Sequence, residues 1–206
     1  MSVLAIYRTA IIALLDDPYY SRFTATQVDA ALRFALIEYS IFRPPVLSYN
    51  IDGAGTYRIT MPADFQPLRI IRAELHAEFA NPQSEVKMIS RFLDNQWEIE
   101  TTERLINLGE SLDLFYMGSV HTIYDLDGAD VTTIPVQDEQ MVQIGAAGYA
   151  CISRATSQGE ANVIQSDATK HIFEIGNKYL DDFRKMLRPV GKGYYGSLPS
   201  VPTDTF

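Results

Sequence analysis

Residues 24–45 read TATQVDAALRFALIEYSIFRPP, and this stretch decides how the chain begins to fold. Thr24 and Gln27 have the spacing of a capping box, in which each side chain satisfies a free backbone donor at the start of a helix. Proline cannot continue a helix, so the pair at 44–45 ends it. Apolar residues recur between these signals at helical spacing: Val28, Leu32, Leu36, Tyr39 and Phe42.

The residues before this helix supply its first partner. Asp16-Asp17-Pro18 ends an earlier apolar pattern, and we expect the two acidic side chains there to be solvated. Two helices joined by so short a loop should pack antiparallel, each hiding its apolar side against the other. The first helix carries its apolar residues at helical spacing: Val3, Leu4, Tyr7, Ala10, Ile11 and Leu14.

Beyond Pro45 the hydrophobic pattern changes to that of strands. Residues 46–51 and 56–61 flank Asp52-Gly53-Ala54-Gly55, which predicts a hairpin. Residues 68–79 alternate, with an apolar face made by Ile71, Ala73, Leu75, Ala77 and Phe79. We expect a short helical turn within 86–93. Further strands are predicted at 96–101, 105–108 and 112–117, followed by a loop at 119–134.

Two more helices follow Pro135. The third, at about 138–156, has small residues at its centre, and glycine costs a helix about 1 kcal/mol relative to alanine. A helix that keeps two glycines indicates close backbone approach, so we predict a close helix-packing face. That face consists of Gly145, Ala146, Gly148 and Tyr149.

Gly159 is expected to break the chain before the fourth and longest helix, at about 160–187. This helix is amphipathic, and Pro189 ends it. Its apolar stripe is predicted from residues spaced three and four apart: Ile164, Ala168, Ile172, Ile175, Tyr179, Phe183 and Met186.

The last 18 residues, 189–206, contain three prolines and three glycines, which oppose regular structure. A segment of this kind is either weakly ordered or an arm that docks on another surface. The apolar residues favour the arm. They are Tyr194, Tyr195, Leu198, Pro199, Val201 and Phe206.

The predicted fold class is therefore α+β. Residues 1–45 and 135–188 form a bundle of two N-terminal and two C-terminal helices. Residues 46–134 form an inserted antiparallel β domain, and residues 189–206 form an extended C-terminal arm.

Composition restricts the function classes. The formal net charge is −9, with 17 scattered basic residues against 26 acidic ones, whereas tight binding to DNA phosphates needs clustered cations. A surface past which DNA slides without sticking is compatible with this charge. The longest apolar runs are too short to span a bilayer, and the first residues lack a secretory signal. We therefore expect a reducing, soluble compartment and no membrane.

The chemistry-bearing residues form no recognisable site. His76, His121 and His171 lack metal-ligand spacing, and no Cys-x-x-Cys exists. Residues 125–130 fail the calcium-loop pattern, because loop positions five and twelve are not acidic. Gly-x-Ser-x-Gly and phosphate-loop motifs are absent, and the single cysteine, Cys151, is predicted to be buried. We predict no catalytic residue, no metal, no cofactor and no enzymatic activity.

The order and spacing of four segments resemble the head-to-tail adaptor (connector, or tail tubular) proteins of tailed bacteriophages. The first is AALRFALIEYS at 30–40, followed by the double proline, and the second is TYRITMPADFQPLRIIRAEL at 56–75. The others are QWEIETTERLINLGESLDLFYMG at 96–118 and TTIPVQDEQMVQIGAAGYACISRATSQGE at 132–160. Together they cover most of residues 24–188.

This resemblance implies a structural virion protein, made in the host bacterial cytoplasm and located at the capsid–tail junction. Such adaptors form a homo-oligomeric ring, commonly twelve-fold, beneath the portal protein. DNA leaves through their channel without specific binding, and downstream tail or neck proteins attach below. Their C-terminal segment often reaches onto the portal, which here implies a portal-docking arm at Tyr194, Tyr195, Leu198, Pro199, Val201 and Phe206.

Two other interpretations stay open. The chain is alternatively another tail or neck subunit, such as a stopper or terminator. A small-molecule-binding or catalytic α+β domain is the remaining alternative, and it would need a polar pocket that gathers titratable groups. The three histidines are its best candidates.

Overall fold

The computed structural model describes residues 3–63, 65–76, 84–103, 105–161 and 167–188. These residues form a mixed helix-and-sheet fold of the α+β class, with four α-helices and two antiparallel sheets. Contacts divide the chain into two compact units. The helical unit comprises the described residues up to Arg43 and from Val120 onwards, and the β unit comprises Pro44–Ser119.

The helical unit contains α1 (Leu4–Leu14), α2 (Ala25–Phe42), α3 (Glu139–Ala161) and α4 (Asp167–Leu187). The predicted capping box at the start of α2 is confirmed. The Gln27 amide donates to the Thr24 hydroxyl, and the Gln27 side chain accepts from the Thr24 amide at 2.9 Å.

Helix α3 is the centre of the helical unit, because it packs against α1, α2 and α4. Most of its side chains between Met141 and Cys151 are buried. The α1 and α2 faces predicted from helical spacing supply much of the same core. The largest side chains that are fully buried there are Tyr7, Ile11, Leu32, Tyr39, Ile123, Phe183 and Leu187.

Residues 120–134 belong to the helical unit, whereas the sequence grouped them with the β insertion. The physical reason is burial. Ile123, Leu126 and Ile134 pack into the core formed by the helices. Val3 also forms a parallel bridge with Tyr124, which ties this loop to the start of α1.

The boundary between α3 and α4 differs from the prediction. Gly159 does not break the chain, since α3 continues to Ala161 and α4 begins at Asp167. The predicted stripe of α4 is confirmed in part, since Phe183 is buried and Ile172, Tyr179 and Met186 pack against the core. Ala168 and Ile175 are exposed instead, and Ile164 lies outside the described residues. Gly176 lies against α3, where a Cβ atom added to it would lie 2.9 Å from Cys151. The buried positions are Thr169, Gly176, Leu180, Phe183 and Leu187.

The described residues of the β unit form seven strands in two sheets, with orders β1-β7-β3-β4 and β2-β6-β5. All pairings are antiparallel. One buried cluster draws side chains from both sheets, including Ala73, Leu112 and Ile99. The strands are β1 (Val46–Asp52), β2 (Arg58–Thr60), β3 (Arg69–His76), β4 (Ser84–Val86), β5 (Met88–Leu93), β6 (Gln96–Thr101) and β7 (Ser111–Met117).

The predicted hairpin around Gly53 is wrong. Strand β1 pairs with β7 and β2 pairs with β6, so the chain crosses from one sheet to the other between them. The Gly53 amide donates to the Glu110 carbonyl at 2.8 Å, and the Gly55 amide donates to the Ile106 carbonyl at 2.9 Å. These bonds dock the glycine loop on the turn before β7 instead of folding it into a hairpin.

Two further local predictions in the β unit are also wrong. Residues 86–93 form strand ends and strand β5, not a helical turn. Residues 105–108 form no strand, although Ile106 makes a single bridge with Thr56.

The alternation of β3 breaks at one position. The register between β3 and β7 shifts between Ile70 and Arg72, which is a β-bulge. Ala73 and Leu75 are buried as predicted, but Ile71 is exposed and Ile70 packs against the core instead. The predicted face residues Ala77 and Phe79 lie outside the described residues.

Candidate assembly surface

The outer side of α2 is apolar. Phe34, Ile37 and Ile41, which we call the α2 stripe, are spaced three and four residues apart and leave 57%, 48% and 73% of their surface exposed. Thr26, Gln27 and Ala30 continue the same side towards the start of the helix. None of these six residues is charged, although the outward side of a surface helix is normally charged or polar.

Helix α2 contains three charged residues, and each of them pairs with an oppositely charged residue of the helical unit. Each is used within the helical unit, so the lack of charge on the outer side has a structural cause. All three are held in ion pairs: Asp29 with Arg8 at 2.6 Å, Arg33 with Asp127 at 2.5 Å, and Glu38 with Arg184 at 2.7 Å.

An exposed apolar row of this kind is expected at a surface that contacts another protein segment. Single exposed apolar residues are common, but a contiguous set is typical of interaction sites. The α2 stripe also continues onto α3, because the Phe34 ring packs against the half-buried ring of Tyr149 at a centroid distance of 5.6 Å.

Tyr149 joins three helices at the edge of this surface. Its hydroxyl donates to the Glu38 carboxylate on α2 at 2.5 Å, and the same carboxylate accepts from Arg184 on α4. Burial, and then the neighbouring Glu38, raise the pKa of Tyr149 to about 12. The phenol therefore stays protonated and keeps donating across the whole physiological range.

The other members of the predicted packing face lie at the contacts of α3. A Cβ atom added to Gly145 would lie 2.9 Å from the Phe183 ring of α4. One added to Gly148 would lie 2.9 Å from Leu180 and 3.1 Å from the Gly176 carbonyl oxygen. Ala146 is fully buried. These residues hold the helical unit together from within and are not exposed for contact with a neighbour.

A polar network fixes the C-terminal end of α2. The Tyr39 hydroxyl donates to Asp138 at 2.6 Å, and the Arg43 guanidinium pairs with the same carboxylate at 2.5 Å. His121 Nε2 lies 2.8 Å from the Arg43 carbonyl, and its Nδ1 lies 3.0 Å from the Thr133 hydroxyl. Burial lowers the pKa of His121, so a neutral ring can donate to Arg43 and accept from Thr133.

Asp17 is buried, which corrects the expectation that it is solvated. Its carboxylate accepts from the backbone amides of Ser21, Arg22 and Phe23 at 2.7 to 3.0 Å. Burial opposes ionisation, but a hydrogen bond from the Ser21 hydroxyl at 2.6 Å, together with those from the three amides, outweighs it and lowers the pKa of Asp17 to about 2. The residue therefore organises the loop that connects α1 to α2.

Cys151, Asp127 and the histidines are the other residues whose side chains were considered for catalysis or metal binding. Cys151 is buried as predicted, and burial raises the pKa of its thiol to about 11. In the acidic turn, Asp127 pairs with Arg33. Within the described ranges, no group of three or more His, Cys, Asp or Glu side chains could hold a metal ion. His171 is exposed on α4, and both ring nitrogens of His121 are already hydrogen-bonded.

The residues predicted for the arm, Tyr194, Tyr195, Leu198, Pro199, Val201 and Phe206, lie outside the described residues. The hydrophobic pattern of the sequence predicts only the buried side of α2 and not the α2 stripe. The signal was present: positions 26, 27, 30, 34, 37 and 41 share one helical side and carry no charge.

Comparison of the sequence with protein-family models and with curated proteins finds no match. Among the helices in the described part of the chain, none has both the length and the apolar character needed to cross a membrane.

Proposed function

We propose that this protein is a structural virion subunit, a head-to-tail adaptor that assembles into a ring beneath the portal and connects the capsid to the tail. The observation that carries the proposal is the uncharged, exposed α2 stripe on a helix whose every charge is paired within its own chain. Such a surface is suited to contact with protein and offers no group for chemistry.

The proposed arrangement is a helical bundle that forms the ring, a β insertion that faces the next tail component, and a C-terminal arm that reaches the portal. In this arrangement the α2 stripe lies between neighbouring subunits. The internal glycine contacts of α3 favour a rigid subunit, because close helix packing leaves little freedom for the backbones to shift. A rigid subunit is what a closed ring with one repeated interface requires.

The acidic balance also supports a DNA channel. A formal charge of −9 repels phosphates, so a wall of this sign does not retain the DNA that passes it. In this proposal DNA passes through the channel and is not bound by it.

The experiment is to express the full chain alone and together with the portal protein of the same virus, and to measure mass in solution and image the particles. The proposal expects a ring on the portal. The variant Ile37→Glu should prevent the ring, because a carboxylate buried between subunits lacks a partner. Lys178→Glu, on the exposed surface of α4, is the matched control and should still assemble. A chain that stays monomeric with the portal present contradicts the proposal.

The same surface is also compatible with another neck or tail subunit, such as a stopper or terminator. Deletion of residues 189–206 separates these possibilities. An adaptor with a portal-docking arm should keep its fold and lose portal attachment. A tail subunit of another kind should show no portal attachment to lose.

A further inference from the structure

Strand β1 (Val46–Asp52) is an edge of its sheet, because among the described residues it pairs with β7 alone. In an antiparallel pair, alternate residues direct both backbone groups towards the partner strand, and the residues between them direct both groups away. The Gly53 amide donates to the Glu110 carbonyl, and the Gly118 amide donates to the Pro45 carbonyl, each at 2.8 Å. These two bonds fix the alternation, so the odd-numbered residues of β1 bond to β7.

The even-numbered residues of β1 therefore direct their amide and carbonyl groups to the open edge. Within the described part of the chain, no other residue forms a backbone hydrogen bond with these groups. Their side chains are exposed as well, so the edge is accessible from solvent. The four residues are Val46, Ser48, Asn50 and Asp52.

This edge lacks the features that normally prevent strand addition. Natural edge strands are protected by lysine, by proline, by a bulge or by short length. Strand β1 has seven residues, VLSYNID, without lysine or proline, and its register with β7 has no shift. Its one charged residue, Asp52, lies at its end. The strand is therefore a template on which another strand can pair.

A second β1 strand fits the edge in the antiparallel register that overlaps the whole strand. In this register Val46 lies opposite Asp52 of the second copy, and Ser48 lies opposite Asn50. All four are residues whose backbone groups are open, so each opposed pair can exchange two hydrogen bonds. A register shifted by one residue would oppose open groups to groups that already bond to β7.

The side chains match in the same register. On the side that faces the core, Leu47 lies opposite Ile51, and Tyr49 lies opposite Tyr49 of the second copy. Apolar and aromatic cross-strand pairs of this kind stabilise a sheet. On the other side Asp52 lies opposite Val46, so no two carboxylates face each other.

We propose that two copies of this chain pair through β1 in this register and join their four-stranded sheets into one. The contact has two-fold symmetry, whereas a closed ring repeats a head-to-tail contact. It is therefore separate from the contact proposed for the α2 stripe, and it does not rest on the proposed function.

The first test measures mass in solution, by sedimentation of the full chain without portal in the Ile37→Glu background, which blocks the α2 stripe. With increasing concentration the mass should approach twice that of one 23.2 kDa chain. Ser48→Pro should return it to one chain, because proline removes an amide of the open edge and spares the ladder with β7. Ser48→Ala keeps the amide and should still dimerise, and circular dichroism checks both folds. A parent protein that stays monomeric overturns the inference.

A charge exchange tests the register without relying on proline. Ser48→Glu combined with Asn50→Glu places carboxylates opposite each other across the contact and should abolish the dimer. Lysine at the same two positions should also abolish it. An equimolar mixture of the two proteins should restore the dimer, because opposite charges then face each other. A mixture that stays monomeric overturns the register.

A disulfide locates the two-fold axis. Tyr49 of the two copies would form a non-hydrogen-bonded pair with Cα atoms about 4.5 Å apart, which a disulfide can bridge. Val46 of one copy would lie about 20 Å from Val46 of the other. Tyr49→Cys should therefore oxidise to a linked dimer at least about tenfold faster than Val46→Cys, although Val46 is the more exposed, at 63% against 36%.

Equal rates in these two variants would contradict the proposed pairing. Native Cys151 is buried and does not compete for oxidation. The outcome is also separate from that of the ring experiment. A dimer through β1 without a ring on the portal supports this pairing and contradicts the adaptor, and a ring without the dimer does the reverse.

Discussion

Gly148 and Gly176 lie opposite each other in the contact between α3 and α4. A Cβ atom built on either residue would lie 3.1 Å from the carbonyl oxygen of the other. Because both obstacles are backbone atoms, the contact cannot relax by turning a side chain. The pair sets how closely the two helices pack, and thereby places Phe183 and Leu187 in the core.

We expect Gly148→Ala to destabilise the helical unit by up to about 2 kcal/mol. Alanine is favoured over glycine in a helix by about 1 kcal/mol. Overpacking of a tight contact costs about 1–3 kcal/mol, and here it involves Leu180 as well as backbone. Denaturant unfolding followed by circular dichroism measures the difference. Ser153→Ala, at an exposed site on α3, should be neutral; a more stable Gly148→Ala protein would contradict the close contact.

The second prediction concerns the network at the end of α2. Asp138 and Arg43 leave only 13% and 15% of their side chains exposed. We expect Asp138→Ala to destabilise the helical unit by about 2–4 kcal/mol, because it leaves a buried guanidinium and the Tyr39 hydroxyl without their acceptor. Unfolding free energies measure the loss.

The control for that prediction is a second aspartate–arginine pair, which joins Arg33 of α2 to Asp127 in the turn at Leu126–Gly128. Asp127 and Arg33 leave 59% and 43% of their side chains exposed. Exposed pairs contribute about 0–1 kcal/mol, so Asp127→Asn, which removes the charge but tolerates the left-handed backbone of this position (φ 56°), should cost little. If the two variants lost similar stability, burial would not be what makes the Asp138 pair important.

Stability should also fall below neutral pH because of His121. Burial holds its pKa below the ordinary value of 6.5 in the folded state. Below about pH 6.5 the unfolded chain therefore binds more protons than the folded chain. The free energy that neutral His121 contributes to stability is complete above that pH. It is lost as the pH falls, by at most about 1.4 kcal/mol per pH unit. Unfolding measured from pH 7.5 to 5.5 should show this slope in the parent protein and in His171→Gln, but much less in His121→Gln.

The helices were largely predictable from sequence because local signals determine them. Thr24 and Gln27 mark the start of α2, and helical spacing identifies its buried side. The faces of α4 were harder to assign. The α3–α4 contact selects Gly176 and Leu180, and a hydrophobicity pattern gives no weight to a glycine. Gly159 was predicted to break the chain, but α3 continues through it to Ala161.

The β unit shows where local reasoning fails. Strand pairing joins residues far apart in sequence, such as Val46 with Met117, and no local signal encodes it. The bulge after Ile70 reverses the face of a single residue, Ile71. The outer side of α2 is a different case, because its six uncharged positions are visible in the sequence but gain meaning only once the partners of Asp29, Arg33 and Glu38 are known.

The last prediction tests the crossing between the two sheets. A Cβ atom on Gly53 would overlap the Asn107 carbonyl oxygen and lie 2.9 Å from that of Glu110. Gly53→Ala must therefore break the 2.8 Å hydrogen bond from the Gly53 amide to Glu110 and separate the two loops. Loss of that bond together with overpacking should cost about 2–4 kcal/mol.

Trp97, the only tryptophan, lies on β6 and contacts the Phe92 ring, so its fluorescence reports on the β unit alone. In Gly53→Ala its unfolding transition should move to lower denaturant, while the helical signal at 222 nm moves less. Ala54→Ser, at the adjacent exposed position, should leave both unchanged. Had β1 and β2 formed a simple hairpin, Gly53 would face solvent in its turn and alanine there would not produce this selective loss.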